Sequence, residues 1–223
     1  MPLKNMTIYT YVLAYKLNGH FWALQHKEKE ILNEKILEFT NDYKKNIISL
    51  KYYKSIRHDN DILFWLSAYE PMDLEKFKEG FNSIIGIYGE TVYSMLSLYE
   101  HSPYIKEGKN LEDTLKTPPK KYFVAYPMSK DKEWYLINYE ERRKILAGHI
   151  GTARNDRESS GILSYTTYSF GLGDQEFVVL YEVENLSNWS HVTEKLREVM
   201  ARKWIINESP IFVGIYEDKK VVV

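Results

Sequence analysis

One order of elements occurs twice in this chain, and that repetition narrows its possible folds more than any other feature. Thr7 to Leu17 alternates and is rich in Tyr, Ile and Val, the pattern of a strand. Leu32, Ile36, Phe39 and Tyr43 then recur at spacings of 4, 3 and 4, one apolar face of a helix. Ile47–Ile56 and Ile62–Tyr69 read as strands joined by the polar turn RHDND, followed by a helix over Asp73–Ile85 and a strand over Thr91–Tyr99. The order is β-α-β-β-α-β, the ferredoxin-like arrangement. It returns downstream as the strand KYFVAYPM, the helix YEERRKILAGHI and a hairpin of ILSYTTYSF and QEFVVLYEV across GLGD. A helix over Ser190–Lys203, with Val192, Leu196, Val199 and Lys203 on one face, and the strand IFVGIYE complete it. Matching landmarks gives nearly constant offsets: Tyr15 to Tyr126 is 111, Ile31 to Ile145 is 114, Tyr69 to Tyr181 is 112 and Tyr99 to Tyr216 is 117. This is the mark of a duplicated domain.

The predicted boundary lies in EGKNLEDTLKTPPK, where charge density, Pro118 and Pro119 break both periodicities. It separates a first half, residues 1–110, from a second, residues 118–223. Two such halves can pair their four-stranded sheets into one α+β barrel with the helices outside. Composition removes several functions. Thirty basic against thirty-one acidic side chains lack the clustered positive charge of a nucleic-acid binder. Without cysteine there can be no thiolate nucleophile, iron–sulfur site or sulfur-bound zinc. The polar N-terminus and the lack of a long apolar run predict neither signal peptide nor membrane span, hence a cytoplasmic protein with no membrane partner.

The duplication also supplies an internal control, since a residue present in one copy only is a candidate for a site added to that copy. His149 is the sharpest case. It lies three residues after Leu146 and four after Ile145, on their apolar face, whereas the matching stretch NEKI has no histidine. On the residues alone it reads either as a core histidine bonded to a backbone carbonyl or as an axial ligand for haem iron. His20, His26, His58, His101 and His191 form no metal constellation. There is no GxSxG and no GxGxxG, and the glycines of SFGLGDQEF suit a tight hairpin. In AYPMSKDKEWY, a strand ending in Tyr126 and Pro127 precedes a basic loop with Lys130 and Trp134. That places a phenol, able to give a proton or one electron, beside cations that can pair with carboxylates; ordinary solvated lysines at a strand end are the alternative.

AYPMSKDKEWYLINYEERRKILAGHIGTAR, SYTTYSFGLGDQEFVVLYE and KLREVMARKW together resemble the chlorite dismutase family, over residues 120–214. That resemblance implies a dimeric α+β barrel of two ferredoxin-like halves, usually a homopentamer. Haem b or coproheme is then bound by the C-terminal half only. It implies His149 as the proximal ligand of the haem iron, and Tyr126 as the tyrosine that relays an electron from a propionate in coproheme decarboxylases. Lys130 and Trp134 would lie against the porphyrin, and Glu198 would accept a hydrogen bond from His149.

The departures matter as much. The distal arginine of authentic chlorite dismutases falls, counting six back from Phe170, on Ser164, where coproheme decarboxylases of the Gram-positive type carry glutamine. Chlorite dismutation is therefore not expected. LEDTLKTPPKKYF lacks the arginine that anchors a propionate ahead of the YPM strand. The leading expectation is a haem-dependent, peroxidase-type oxidoreductase acting with peroxide. The alternatives are a coproheme decarboxylase using peroxide and Tyr126, a non-enzymatic haem carrier or sensor, and a barrel that holds no haem.

Overall fold

The structure, a computed structural model, describes residues 7–102, 105 and 108–222. Residues 1–6, 103–104, 106–107 and 223, which fall in the predicted halves and at the start of the boundary between them, lie outside the described residues.

The first half runs β1 (Ile8–Leu17), a short α1 (Gly19–Ala23), α2 (His26–Tyr43), β2 (Ser49–Ser55), β3 (Ile62–Ala68), α3 (Pro71–Ile85) and β4 (Gly89–Tyr99). After α4 (Leu111–Leu115), the second runs β5 (Tyr122–Lys130), α5 (Lys132–Leu136), α6 (Tyr139–Asn155), β6 (Leu163–Tyr168), β7 (Phe177–Val183), α7 (Leu186–Leu196), β8 (Ile205–Asn207) and β9 (Phe212–Ile215). Within the first half the strands are ordered β4-β1-β3-β2, and within the second β9-β5-β7-β6. The two orders are equivalent, so the repeat seen in sequence is a repeat of topology. The halves meet where β4 pairs β6 at Leu98 and Tyr168, and where β2 pairs β9 through Lys54–Ile215 and Ser55–Gly214. Eight strands thus close into a barrel, with β8 a short addition beside β5. Gly214 permits the second seam, because a Cβ there would lie 2.6 Å from that of Tyr53.

Period-2 alternation sends one set of side chains into the barrel and the other towards the helices. Trp65, Tyr53, Phe123, Tyr165, Val178, Leu180 and Phe212 fill the interior, with Tyr53 and Trp65 stacked on Phe123 at 4.6 and 5.5 Å. A buried ion pair crosses this interior from one half to the other. Lys51 Nζ of β2 lies 2.7 Å from Glu182 Oε2 of β7, and Tyr53 and Tyr165 also donate to that carboxylate at 2.9 and 3.2 Å. With its acceptor oxygens occupied, the charge is tolerated without water.

The predicted elements are present, with one correction. The helix expected over Ser190–Lys203 ends at Leu196. Arg197 and Glu198 close it with tight bonds to the carbonyls of Glu194 and Lys195, Val199 is extended, and Met200–Trp204 form a separate 3₁₀ turn. Arg197 and Arg202, on either side of the break, both bind Glu208, a pairing that breaking the helix at Val199 permits.

Candidate functional site

The outer faces of the two half-sheets are covered differently. In the first half, eighteen buried hydrophobic residues among those described fill the space between sheet and helices, among them Tyr15, Phe64, Phe77 and Phe81. Gly80 of α3 lets Phe39 of α2 close in, since a Cβ there would sit 2.7 Å from its ring. In the second half the corresponding cluster has four members, Val124, Tyr126, Phe177 and Val179. What replaces the rest is a cavity of about 720 Å³ between the sheet and helices α6 and α7, a size usual for cofactor sites.

The helix side begins at Asn138, whose side chain caps α6 by accepting from the Glu141 N–H, with Glu140 and Glu141 in the first turn. From that start Leu146, His149, Ile150 and Ala153 share one face, and all four line the cavity. No residue of this 17-residue helix is buried, because its apolar face looks onto empty space. His149 lies between the cavity and a shallower groove formed with Gly148, Thr152 and Val199. Burial lowers its pKa below the ordinary 6.5; Lys130 pushes the same way and Glu208 opposes. The imidazole is therefore neutral at pH 7, the state in which a histidine can bind a metal.

The opposite wall is the sheet. Tyr126 of β5, Ser164 and Thr166 of β6, and Val179 and Tyr181 of β7 face the cavity. Ser164 pairs directly with Tyr181 across the strands. The Tyr126 and Tyr181 rings lie 6.1 Å apart, and Tyr181 feels both the Tyr126 phenol and the Ser164 hydroxyl. Burial raises both phenols above the usual value of 10, so both keep their protons. At the end of β5, Lys130 is buried with its ammonium 3.5 Å from the centre of the Trp134 ring. Burial pulls its pKa down to about 8; Glu176 opposes that shift and Arg142 adds to it.

Of the residues singled out in sequence, Tyr126, Lys130, His149 and Ser164 come together around this cavity. Trp134 does not line it: it is buried behind Lys130 and packs on Trp204 at 5.4 Å. Glu198 is a correction. It is exposed in the turn after α7 and outside the cavity wall, because the helix that was to carry it inward has already ended. The carboxylate whose charge acts on His149 is Glu208, which shares the cavity wall with it and is held by Arg197 and Arg202. Its position follows from the pairing of β8 with the end of β5, a long-range contact with no local signature. Tyr181 could have been found from sequence, since strict alternation in FVVLYEV puts it on the same face as Phe177 and Val179.

Chemically the site offers a neutral imidazole on one wall and paired phenols on the other, in a largely apolar slot. Among the described residues, Lys109, Lys130, Arg154, Arg197 and Arg202 line it against the carboxylates of Asp113 and Glu208. That surplus of positive charge suits a flat, mainly apolar ligand with anionic substituents. Among the described residues no cluster of three or more His, Cys, Asp or Glu could hold a bare metal ion, and no helix is long and apolar enough to cross a membrane.

Comparison with known proteins agrees with this architecture. A coproheme decarboxylase of Mycolicibacterium smegmatis is 27% identical over 168 residues, which cover 71% of this chain and 68% of that one. The crystal structure of TA0507, named for chlorite dismutase, matches with a TM-score of 0.89 at 43% identity, over 96% of both chains. A haem-binding protein of Thermus thermophilus shares the fold, with a TM-score of 0.83 at 20% identity over 97% of this chain and 93% of that one. The family model described as chlorite dismutase matches residues 28–217, a span that holds every residue lining the cavity. The chain belongs to the chlorite dismutase family.

Proposed function

We propose that the second half of this chain binds an iron porphyrin, with His149 as the protein's ligand to iron, and that the protein is a haem-dependent oxidoreductase using peroxide. The observation that carries this reading is the one-sided cavity. Two halves of one topology differ in that only the second leaves a slot between sheet and helices, and a neutral imidazole faces into it. A haem b or coproheme fits the residues present: apolar side chains of α6 and α7 for the ring faces, and cations at the rim for carboxylates. Bound there, the iron supplies the redox centre that peroxide oxidises. Glu208 favours the protonated form of His149, and Arg197 and Arg202 hold that carboxylate in place. The sheet wall carries Ser164 and no cation except Lys130, so neither chlorite dismutation nor fast peroxidase turnover is expected, both needing a cation over the iron.

A second reading, removal of propionates from coproheme, is favoured by Tyr126. Its phenol lies in the cavity wall within one strand of Lys130, the cation suited to hold a propionate beside it. Peroxide would be reduced to water while the propionate is oxidised to a vinyl group and carbon dioxide, Tyr126 passing single electrons between them. By the family likeness the protein works in the cytoplasm as a homo-oligomer, a pentamer, which light scattering reads directly.

Titration of the purified chain with haem and with coproheme tests the assignment. A Soret shift that is lost in His149→Ala is expected; an unchanged shift in that variant, or none in the wild type, sinks it. Loss of propionates by wild type but not by Tyr126→Phe selects decarboxylation over general peroxidase activity.

A further inference from the structure

The cavity's phenol wall does not stop at Tyr126. The Tyr126 and Tyr181 rings lie 6.1 Å apart between centroids at an interplanar angle of 24°, and the two phenols act on each other electrostatically. Tyr181 in turn packs on Trp189 of α7 at 4.0 Å and 39°. Trp189 lines the same cavity and is half-buried, so the row runs along the cavity wall from β5 to the outer helix. Nothing about packing demands three oxidisable rings in sequence here. In the first half, Tyr15, the counterpart of Tyr126, touches only Phe81 at 4.6 Å and Phe64 at 6.0 Å, rings that cannot be oxidised under the same conditions. By strand register the counterpart of Tyr181 is Phe64, a ring without a hydroxyl.

We propose that Tyr181 and Trp189 form an electron relay that carries an oxidising equivalent from Tyr126 to the surface of α7, where a soluble one-electron donor of the ascorbate or phenol class can quench it. The inference rests on the reading of the cavity as an iron-porphyrin site, whose reaction with peroxide is the source of the oxidant. Once Tyr126 has lost an electron and a proton, its phenoxyl oxygen takes a hydrogen atom from the hydroxyl of the neighbouring Tyr181. Tyr126 is then a phenol again and Tyr181 a phenoxyl. Trp189 gives Tyr181 an electron, Ser164 relays a proton to it from water, and the indole N–H proton leaves to solvent. The donor finally returns one electron to the indolyl ring, which recovers its proton from water. Tyr181 and Trp189 thus move charge along the cavity wall they share with Tyr126.

The test uses the full chain loaded with haem b, treated with hydrogen peroxide in the presence of a nitroxide radical trap, with adducts mapped by peptide mass spectrometry. In the wild type the adduct is expected on Trp189. In Tyr181→Phe it falls at least tenfold there and rises on Tyr126. In Trp189→Phe it moves to Tyr181, which keeps the proposal testable if the first variant loses haem. Trp22, 56% exposed in the first half, is the control and stays unlabelled. Equal labelling of Trp189 with and without the Tyr181 hydroxyl, or of Trp22 and Trp189 alike, overturns the relay. A Soret shift with Trp189 unlabelled overturns the relay and leaves the porphyrin site standing, whereas no Soret shift overturns both.

Discussion

Between sheet and helices of the first half, Tyr15, Phe64, Phe77 and Phe81 interlock, and the segment that follows β9 buries Val221 and Val222 among them. Asn33 of α2 holds that segment, accepting from both valine N–H groups and donating to the Lys219 carbonyl. Between the equivalent layers of the second half there is a cavity, and α6, the counterpart of α2, buries nothing. The two halves share strand order and element order, so topology did not decide where a ligand could go. Side-chain volume did. The first half places Phe77 and Phe81 on α3, whereas α7, the equivalent helix, turns Val192, Thr193 and Leu196 to the same space beside a single ring, Trp189. A helix whose apolar face meets no protein is held by its caps, its neighbours and, when present, whatever fills the slot. A duplicated fold can thus keep one copy as a stabilising core and hollow out the other for a site.

Four measurements put that contrast at risk. The largest effect is on stability. Phe81→Ala, in the filled half, should cost about 3–5 kcal/mol in denaturant unfolding, because it opens a void in a core with no room to relax. Leu146→Ala, on the cavity wall, should cost under about 1 kcal/mol without ligand, since its side chain already faces open space. Equal costs would mean that the second half collapses around its cavity. Next comes porphyrin affinity, read from Soret titrations. His149→Ala should lose about 100-fold or more, while Lys35→Ala, exposed in the stretch of α2 that matches it, should lose nothing.

The third concerns pH. His149 must be neutral to bind iron, and its pKa lies below 6.5, so affinity should be flat from pH 7 upward and fall as pH drops below that range. Lys130 acts on the stability of the ligand-free chain. Its folded pKa, about 8, is below the ordinary 10.5, so between these values the unfolded chain holds more protons than the folded one. Stability should therefore gain on the order of 1 kcal/mol from pH 8 to 10, and Lys130→Met should remove that slope. The smallest effect separates two glutamates. Glu208→Gln should lower the His149 pKa further, by less than about one unit, as followed by NMR of the ring protons. Glu198→Ala should leave it unchanged, because that side chain is exposed beyond the end of α7.

Much of this was legible in the residues. Period-2 and 3.6 patterns are local, so the strands and helices of both halves could be placed from spacing, and the offset of about 111 to 117 exposed the duplication. The absence of a histidine in NEKI singled out His149 without any structure. Tyr126, Lys130 and Ser164 could be assigned to one neighbourhood only through likeness to a family, since they lie on two strands, β5 and β6, that are brought together only by pairing on either side of β7. Glu198 failed for a physical reason. The family resemblance proposed it within a helix expected over Ser190–Lys203, but the helix ends before it, and no residue type at 197–199 announces a stop.

The amino-acid order therefore carried the inventory and its periodicity: two copies of one topology, an imidazole in one of them, and no cysteine to compete for iron. Which faces meet was settled in three dimensions. Closure of the barrel set Lys51 against Glu182 across the interior, pairing of β8 with β5 brought Glu208 towards His149, and the strand register put Tyr181 between Tyr126 and Trp189. Contacts between residues far apart in the chain depend on how whole sheets twist and close, and no local pattern carries that information.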